Sequence, residues 1–195
     1  VVTIEDYKAF IYSMPSRFGG ISRCTVMQDR DSNVRNINIY VISRSANGQL
    51  ETTNEVVKQN IKTYISSKKM INDSVDLLDA KIVNLGITFE VIADSGASKT
   101  AVLNRAVAAI SAYFSGLFDI GEDFAITDMY TVLNSVAGVV DTTSVKVSQK
   151  TGVGYSTTYF NVKNRTTTDG RFLKAPKNVI FEVKFPNSDV QGTVK

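Results

Sequence analysis

The sequence predicts an α+β fold: a mixed sheet with helices packed on one face, plus an irregular C-terminal β-hairpin and strand extension. Three observations predict it. Along Lys81–Ala93, Val83, Leu85, Ile87, Phe89 and Val91 alternate with Asn84, Gly86, Thr88 and Glu90, the period-two signature of a half-buried strand. From Ser98 to Phe114 the period changes, and Val102, Ala106, Val107, Ile110, Tyr113 and Phe114 form a stripe at helical spacing. Beyond Lys150 the composition turns to glycine, threonine, tyrosine and basic residues, without a sustained period.

The elements follow in order. Thr3-Ile4-Glu5-Asp6 resembles a capping box with Asp in place of Glu, and Ile4, Tyr7, Ile11 and Met14 then share one helical face. Pro15 and Gly19-Gly20 end that helix. A strand is expected over 21–28, a polar turn over 29–33, and a second strand over 34–44 with Ile37, Ile39 and Val41 inward. After the Ala46-Asn47-Gly48 turn, Asn54 caps a helix over 54–68. That helix buries Val57, Ile61, Tyr64 and Ile65 and turns Lys58, Lys62, Lys68 and Lys69 outward. Residues 71–79 read as a short acidic stretch, the first part of a bent strand running on into Lys81.

Ser98 is placed to cap the 98–114 helix and Thr127 the short helix after it. The Gly138 turn then leads to a strand over 143–149. Strands 34–44, 81–93 and 143–149 with helices 54–68 and 98–114 make up the expected sandwich. An irregular hairpin is expected over 152–170, and a last strand over 179–185. Pro176 and Pro186 bracket that strand and favour an edge position. Residues 187–195 read as polar and loose. The organisation predicted is an N-terminal helix and connecting strand (1–33), a central core domain (34–150) and a β-rich extension (151–195).

The 195 residues suffice for one packed domain with an appendage. No apolar run approaches a membrane span, and the amphipathic opening with Glu5 and Asp6 is unlike a signal peptide. The chain opens on Val1 without an initiator Met and reads as a fragment of something longer. With no histidine and Cys24 as its single cysteine, it lacks the commonest general base, the usual triads, an intrachain disulfide and the usual zinc sites. A reducing compartment is the natural setting. Net charge is only +3 but unevenly spread. Residues 1–69 carry ten basic and six acidic side chains, 70–141 three and ten, and 142–178 seven and one. Such a split can steer association.

Candidate chemistry is thin. Asp94–Thr100 (DSGASKT) lacks the adjacent Gly-Lys and the earlier Gly of a phosphate loop, and reads as a turn with a helix start. Asp119, Glu122, Asp123 and Asp128 fit no calcium loop and suit a loop and helix start. Gly152-Val153-Gly154 reads as a turn, not a dinucleotide fingerprint, and Cys24 as a small core residue. Binding is most plausible in the basic, aromatic stretch with Lys150, Tyr155, Tyr159, Phe160, Lys163, Arg165, Arg171 and Lys174. Such residues suit a protein interface. A nucleic-acid strand is the alternative they leave open.

Three stretches carry a family resemblance: Val2-Thr3-Ile4-Glu5-Asp6-Tyr7 with Pro15 and the 22–26 strand; the 81–141 centre with Asp119-Ile120-Gly121-Glu122 and Ala137-Gly138-Val139-Val140-Asp141; and Leu173–Pro186. Together they resemble the baseplate J-like family of contractile-tailed phages, and within it the large baseplate wedge proteins of T-even-type phages, of which this would be a C-terminal fragment. The family often has Pro-Gly where this chain has Ile120-Gly121. The resemblance implies a non-enzymatic virion protein, made in the host cytoplasm and needing no cofactor or metal. Its implied partners are a second copy of itself, then a ring of wedges with other baseplate wedge proteins, rearranging on sheath contraction. Neither membrane nor nucleic acid is among them.

Overall fold

The computed structural model of the chain describes residues 3–29, 36–69, 73–116 and 118–195. Residues 30–33 of the expected 29–33 turn, the start of the 34–44 strand and the start of the 71–79 stretch lie outside the described residues. Contacts divide the chain into two compact units, Val1–Lys81 with Asp119–Gly121, and Ile82–Phe118 with Glu122–Lys195.

In the first unit, α1 (Ile4–Tyr12) begins at the expected capping box: Asp6 N–H donates to Thr3 Oγ1 and Thr3 N–H to Asp6 Oδ2, both at 3.1 Å. A single 3-10 turn (Ser16–Phe18) leads to β1 (Arg23–Gln28), β2 (Asn36–Arg44) and the two-residue β3 (Leu50–Glu51). Asn54 then caps α2 (Glu55–Ser66) by accepting from Val56 N–H at 2.8 Å, and β4 (Ser74–Asp79) follows. β1 runs antiparallel and β4 parallel to the same residues of β2, so they occupy its two edges. Alternation buries Ile37, Ile39 and Val41 of β2 with Val26, Val75, Tyr7, Ile11, Ile61 and Ile65. The Lys58 ammonium meets Asp79 at 2.7 Å, tying α2 to β4.

The second unit is built on β5 (Lys81–Ala93), whose five expected inward residues are all fully buried. Around it come α3 (Lys99–Ser115), β6 (Phe124–Ala125), α4 (Ile126–Asn134), β7 (Val139–Gln149), α5 (Val162–Arg165), β8 (Phe172–Leu173), β9 (Val179–Glu182), α6 (Pro186–Asp189) and β10 (Val190–Val194). β7 pairs antiparallel with β5, β10 pairs with it in parallel, and β9 also pairs with it. Val102, Ala106 and Ile110 of α3 and Met129 and Leu133 of α4 complete the core, with Phe124, Phe160, Leu173 and Phe181.

The α+β class and the mixed strand directions stand. Several particulars differ. Strands 34–44 and 81–93 belong to separate sheets, because β1 and β4 already occupy both edges of β2. Only Ala80 separates β4 from β5, so the expected continuous bent strand divides between the two sheets there. Ser98 makes no side-chain cap bond. α4 starts at Ile126 rather than after Thr127, since Ile126 N–H is satisfied by the Arg171 carbonyl at 2.8 Å. The irregular hairpin is shorter and lies further along, at 165–174, with Lys174 N–H on the Arg165 carbonyl and Thr167 N–H on the Phe172 carbonyl.

The largest correction is at 187–195, which is not loose. Val190–Val194 pairs with Ile87–Val91, and Lys195 N–H donates to the Val91 carbonyl at 2.9 Å. Gly192 permits this: a Cβ there would overlap the Phe89 ring and come within 2.8 Å of Leu103 Cδ1.

Candidate interface

The segment after β7 is held against the sheet by polar side chains from below. Lys150 N–H donates to the Asn84 carbonyl at 2.9 Å, and the Lys150 side chain fills the space left by Gly86. Asn84, 1% exposed, donates through Nδ2 to Glu182 at 2.8 Å and accepts Ser156 N–H at 2.7 Å. Gln149 donates to the Thr158 carbonyl and accepts Phe160 N–H at 2.9 Å. A buried amide left unpaired is costly, so each of these bonds has a structural duty. Tyr155 donates its hydroxyl to the buried Asp189, which also accepts Phe185 N–H at 2.8 Å. That donation holds the Tyr155 hydroxyl above the usual phenol range.

Besides Lys150, whose side chain fills the space over Gly86, the other seven candidate residues have different fates. Phe160 is 7% exposed and packs edge-to-face on Phe181, with ring centroids 5.5 Å apart. Tyr155 is half-buried against Phe185. Lys174 is exposed but meets Asp123 at 2.6 Å and lies over the Phe172 ring. Arg171 reaches Asp169 only at 3.9 Å. Tyr159 stands 82% exposed, and Lys163 and Arg165 are exposed on α5 without an ion pair among the described residues.

Beside them lies a feature that the spacing of residues did not reveal. Between β7 and the 162–170 stretch runs a groove of about 690 Å³. Val145, Val147 and Val162 line it together with Lys146, Lys163 and Thr166–Thr168. The one available signal was Lys146 between two inward valines.

The other candidates resolve as structure. Asp119 pairs with Arg23 at 2.8 Å, Asp123 with Lys174 and Ala175 N–H, and Asp128 accepts the Tyr113 hydroxyl at 2.9 Å. Burial first, then that donation, raises the Tyr113 hydroxyl well above the phenol range. Ala97 N–H closes a turn onto the Asp94 carbonyl before α3 begins. Cys24 is 2% exposed, and burial pushes its thiol up to about 11, away from nucleophilic use. Among the described residues no group of three acidic or cysteine side chains could hold a metal ion. No described helix is long and apolar enough to cross a membrane.

No family model matches the chain, and no curated protein matches it. Among solved structures it is similar to a chain of the anti-feeding prophage baseplate, determined by cryo-electron microscopy with six-fold symmetry imposed. The TM-score is 0.54 at 10% identity, over 92% of this chain. The likeness is one of fold. This chain spans 37% of the length of that one.

Proposed function

We propose that the chain is a structural, non-enzymatic part of a contractile-tail baseplate, working through contacts with copies of itself and with other baseplate proteins. The observation that carries this reading is the shared fold over nearly the whole chain with a baseplate protein. The family resemblance read from Val2–Tyr7, the 81–141 centre and Leu173–Pro186 supports it by a separate route. The finer form of the proposal is a wedge subunit that pairs with a second copy, links neighbouring wedges into a ring and shifts when the sheath contracts. Fold alone does not fix function, so the test is direct. Contractile particles purified from producing cells should contain the chain, and antibody labelling should place it at the baseplate end. Recovery only outside particles overturns the reading.

The 155–174 surface is proposed as an intersubunit contact through Tyr159, Lys163, Arg165 and Arg171. Light scattering should give a dimer or larger species that Arg165→Glu with Arg171→Glu disrupts. Unchanged assembly in that variant removes this surface from the proposal. The exposed Tyr159, with Lys163 and Arg165 exposed a few residues on and outside any ion pair among the described residues, favours, as the second reading, single-stranded nucleic acid. Binding of an oligonucleotide that weakens steeply with salt would select it.

A further inference from the structure

We infer that the outer edge of β7 accepts an extended, acidic segment of a partner protein as an added strand. The phase of the β5–β7 ladder supplies the first part of the argument. Val145 N–H leaves the ladder and donates to the Tyr130 hydroxyl at 3.1 Å, so Phe89 and Val145 are a non-hydrogen-bonded pair. Lys150 N–H on the Asn84 carbonyl fits the same phase. Two residues on, the alternation turns the main-chain N–H and C=O of Val147 outward, away from β5.

An open strand edge is a template for another chain, and proteins usually cover it. Here the cover has a gap. Tyr130 closes the edge at Val145, and the Thr158–Phe160 segment, gripped by Gln149, flanks it at the far end. Between them Val147 faces the 690 Å³ groove. An added strand there would gain main-chain hydrogen bonds at Val147 and set alternate side chains on Val145 and Val162.

Charge selects the occupant. Lys146 and Lys163 line the groove, neither in an ion pair among the described residues, and no carboxylate lines it; Glu90 of β5, which Lys146 influences, is already held by Lys195. Residues 142–178 carry seven basic side chains against Asp169 alone, and Asp169 is already engaged by Thr167 and Arg171 N–H. A segment alternating apolar and acidic residues is the complement in pattern and in sign. The inference rests on the assembly reading for the existence of a partner and on the edge geometry for its form.

The test uses the isotope-labelled full chain and a blocked peptide of about ten residues alternating Val and Asp. Saturable amide shifts should appear at 145–147 and 162–168, with a Kd below about 1 mM. Val147→Pro removes the outward donor and leaves the β5 ladder intact, because proline is tolerated on an edge. It should weaken binding about tenfold or more, as should Lys146→Glu with Lys163→Glu, while the β5 amides keep their positions. Absence of shifts at this edge overturns the inference. So does equal binding by Val147→Pro, by a Val-Lys peptide or by oligothymidylate, and so do shifts that grow with protein concentration alone, which would assign the edge to a second copy. Because the peptide assay needs no particle, its failure leaves the baseplate location standing, and a wrong location leaves the peptide result standing.

Discussion

Two stretches beyond Gln149 meet the β5 sheet by opposite means. Residues 155–160 lie on it through side chains: Asn84 and Gln149 grip their backbone, Asp189 holds Tyr155, and the Phe160 ring enters the core. Residues 190–195 join it through main-chain pairing, with Ala93 N–H on the Lys195 carbonyl closing the ladder. The first attachment depends on the identity of particular residues. The second rests on main-chain bonds, with Val190 in the core and Gly192 where the backbone comes too close for a Cβ, while Gln191 and Thr193 stay exposed.

Substitutions can break that contrast. Phe160→Ala should cost most, about 3 kcal/mol in denaturant unfolding, since a buried ring leaves a cavity. A loss near zero would return Phe160 to the surface. Gly192→Val should cost about 2 kcal/mol by overpacking against Phe89 and Leu103. Hydrogen exchange should then quicken at 190–194 and stay unchanged at 155–160. Asn84→Ala, which strands Ser156 N–H, should cost about 1.5 kcal/mol and quicken exchange at 156–160 instead. Gln191→Ala, exposed on the ladder, should stay within about 0.5 kcal/mol.

Acid provides the smallest comparison, through two depressed carboxyls, one holding Lys174 and Ala175 and one holding Lys195 at the end of the ladder. Asp123 lies below the usual range through the bond from Lys174 and then from Ala175 N–H, and Glu90 through the bond from Lys195. A carboxyl depressed by folding contributes fully above its unfolded value of about 4, and the contribution is lost as pH falls through the folded value. Melting temperature followed downward from neutral pH should therefore fall less steeply in Asp123→Asn and in Glu90→Gln than in the parent.

What was legible in the sequence was local. The Thr3–Asp6 box, the Asn54 cap and the β5 alternation each depend on residues within a few positions, and all three appear as read. What was missed depends on distant partners. Phe160 looks exposed among Tyr, Thr and Asn, and its burial needs Gln149 to fix the backbone beside it. Lys174 looks free, and Asp123 holds it from 51 positions away. β10 escaped notice because only Val190 and Val194 mark its inward face, with Gly192 between them. The groove escaped because it is a space between elements, and only Lys146 marks it.

The parallel ladder also sets an order of events. Lys195 meets Glu90 across 105 positions of chain, a loop whose closure costs entropy before any contact rewards it. The first unit needs no such reach to pair β2 with β4. As the polypeptide leaves the ribosome, that sheet can close early, while β5 waits with an apolar face and one bare edge until Val190–Val194 arrives. Nascent protein is thus most exposed to wrong pairing during one interval, and the rate of synthesis between β5 and β10 becomes a determinant of yield.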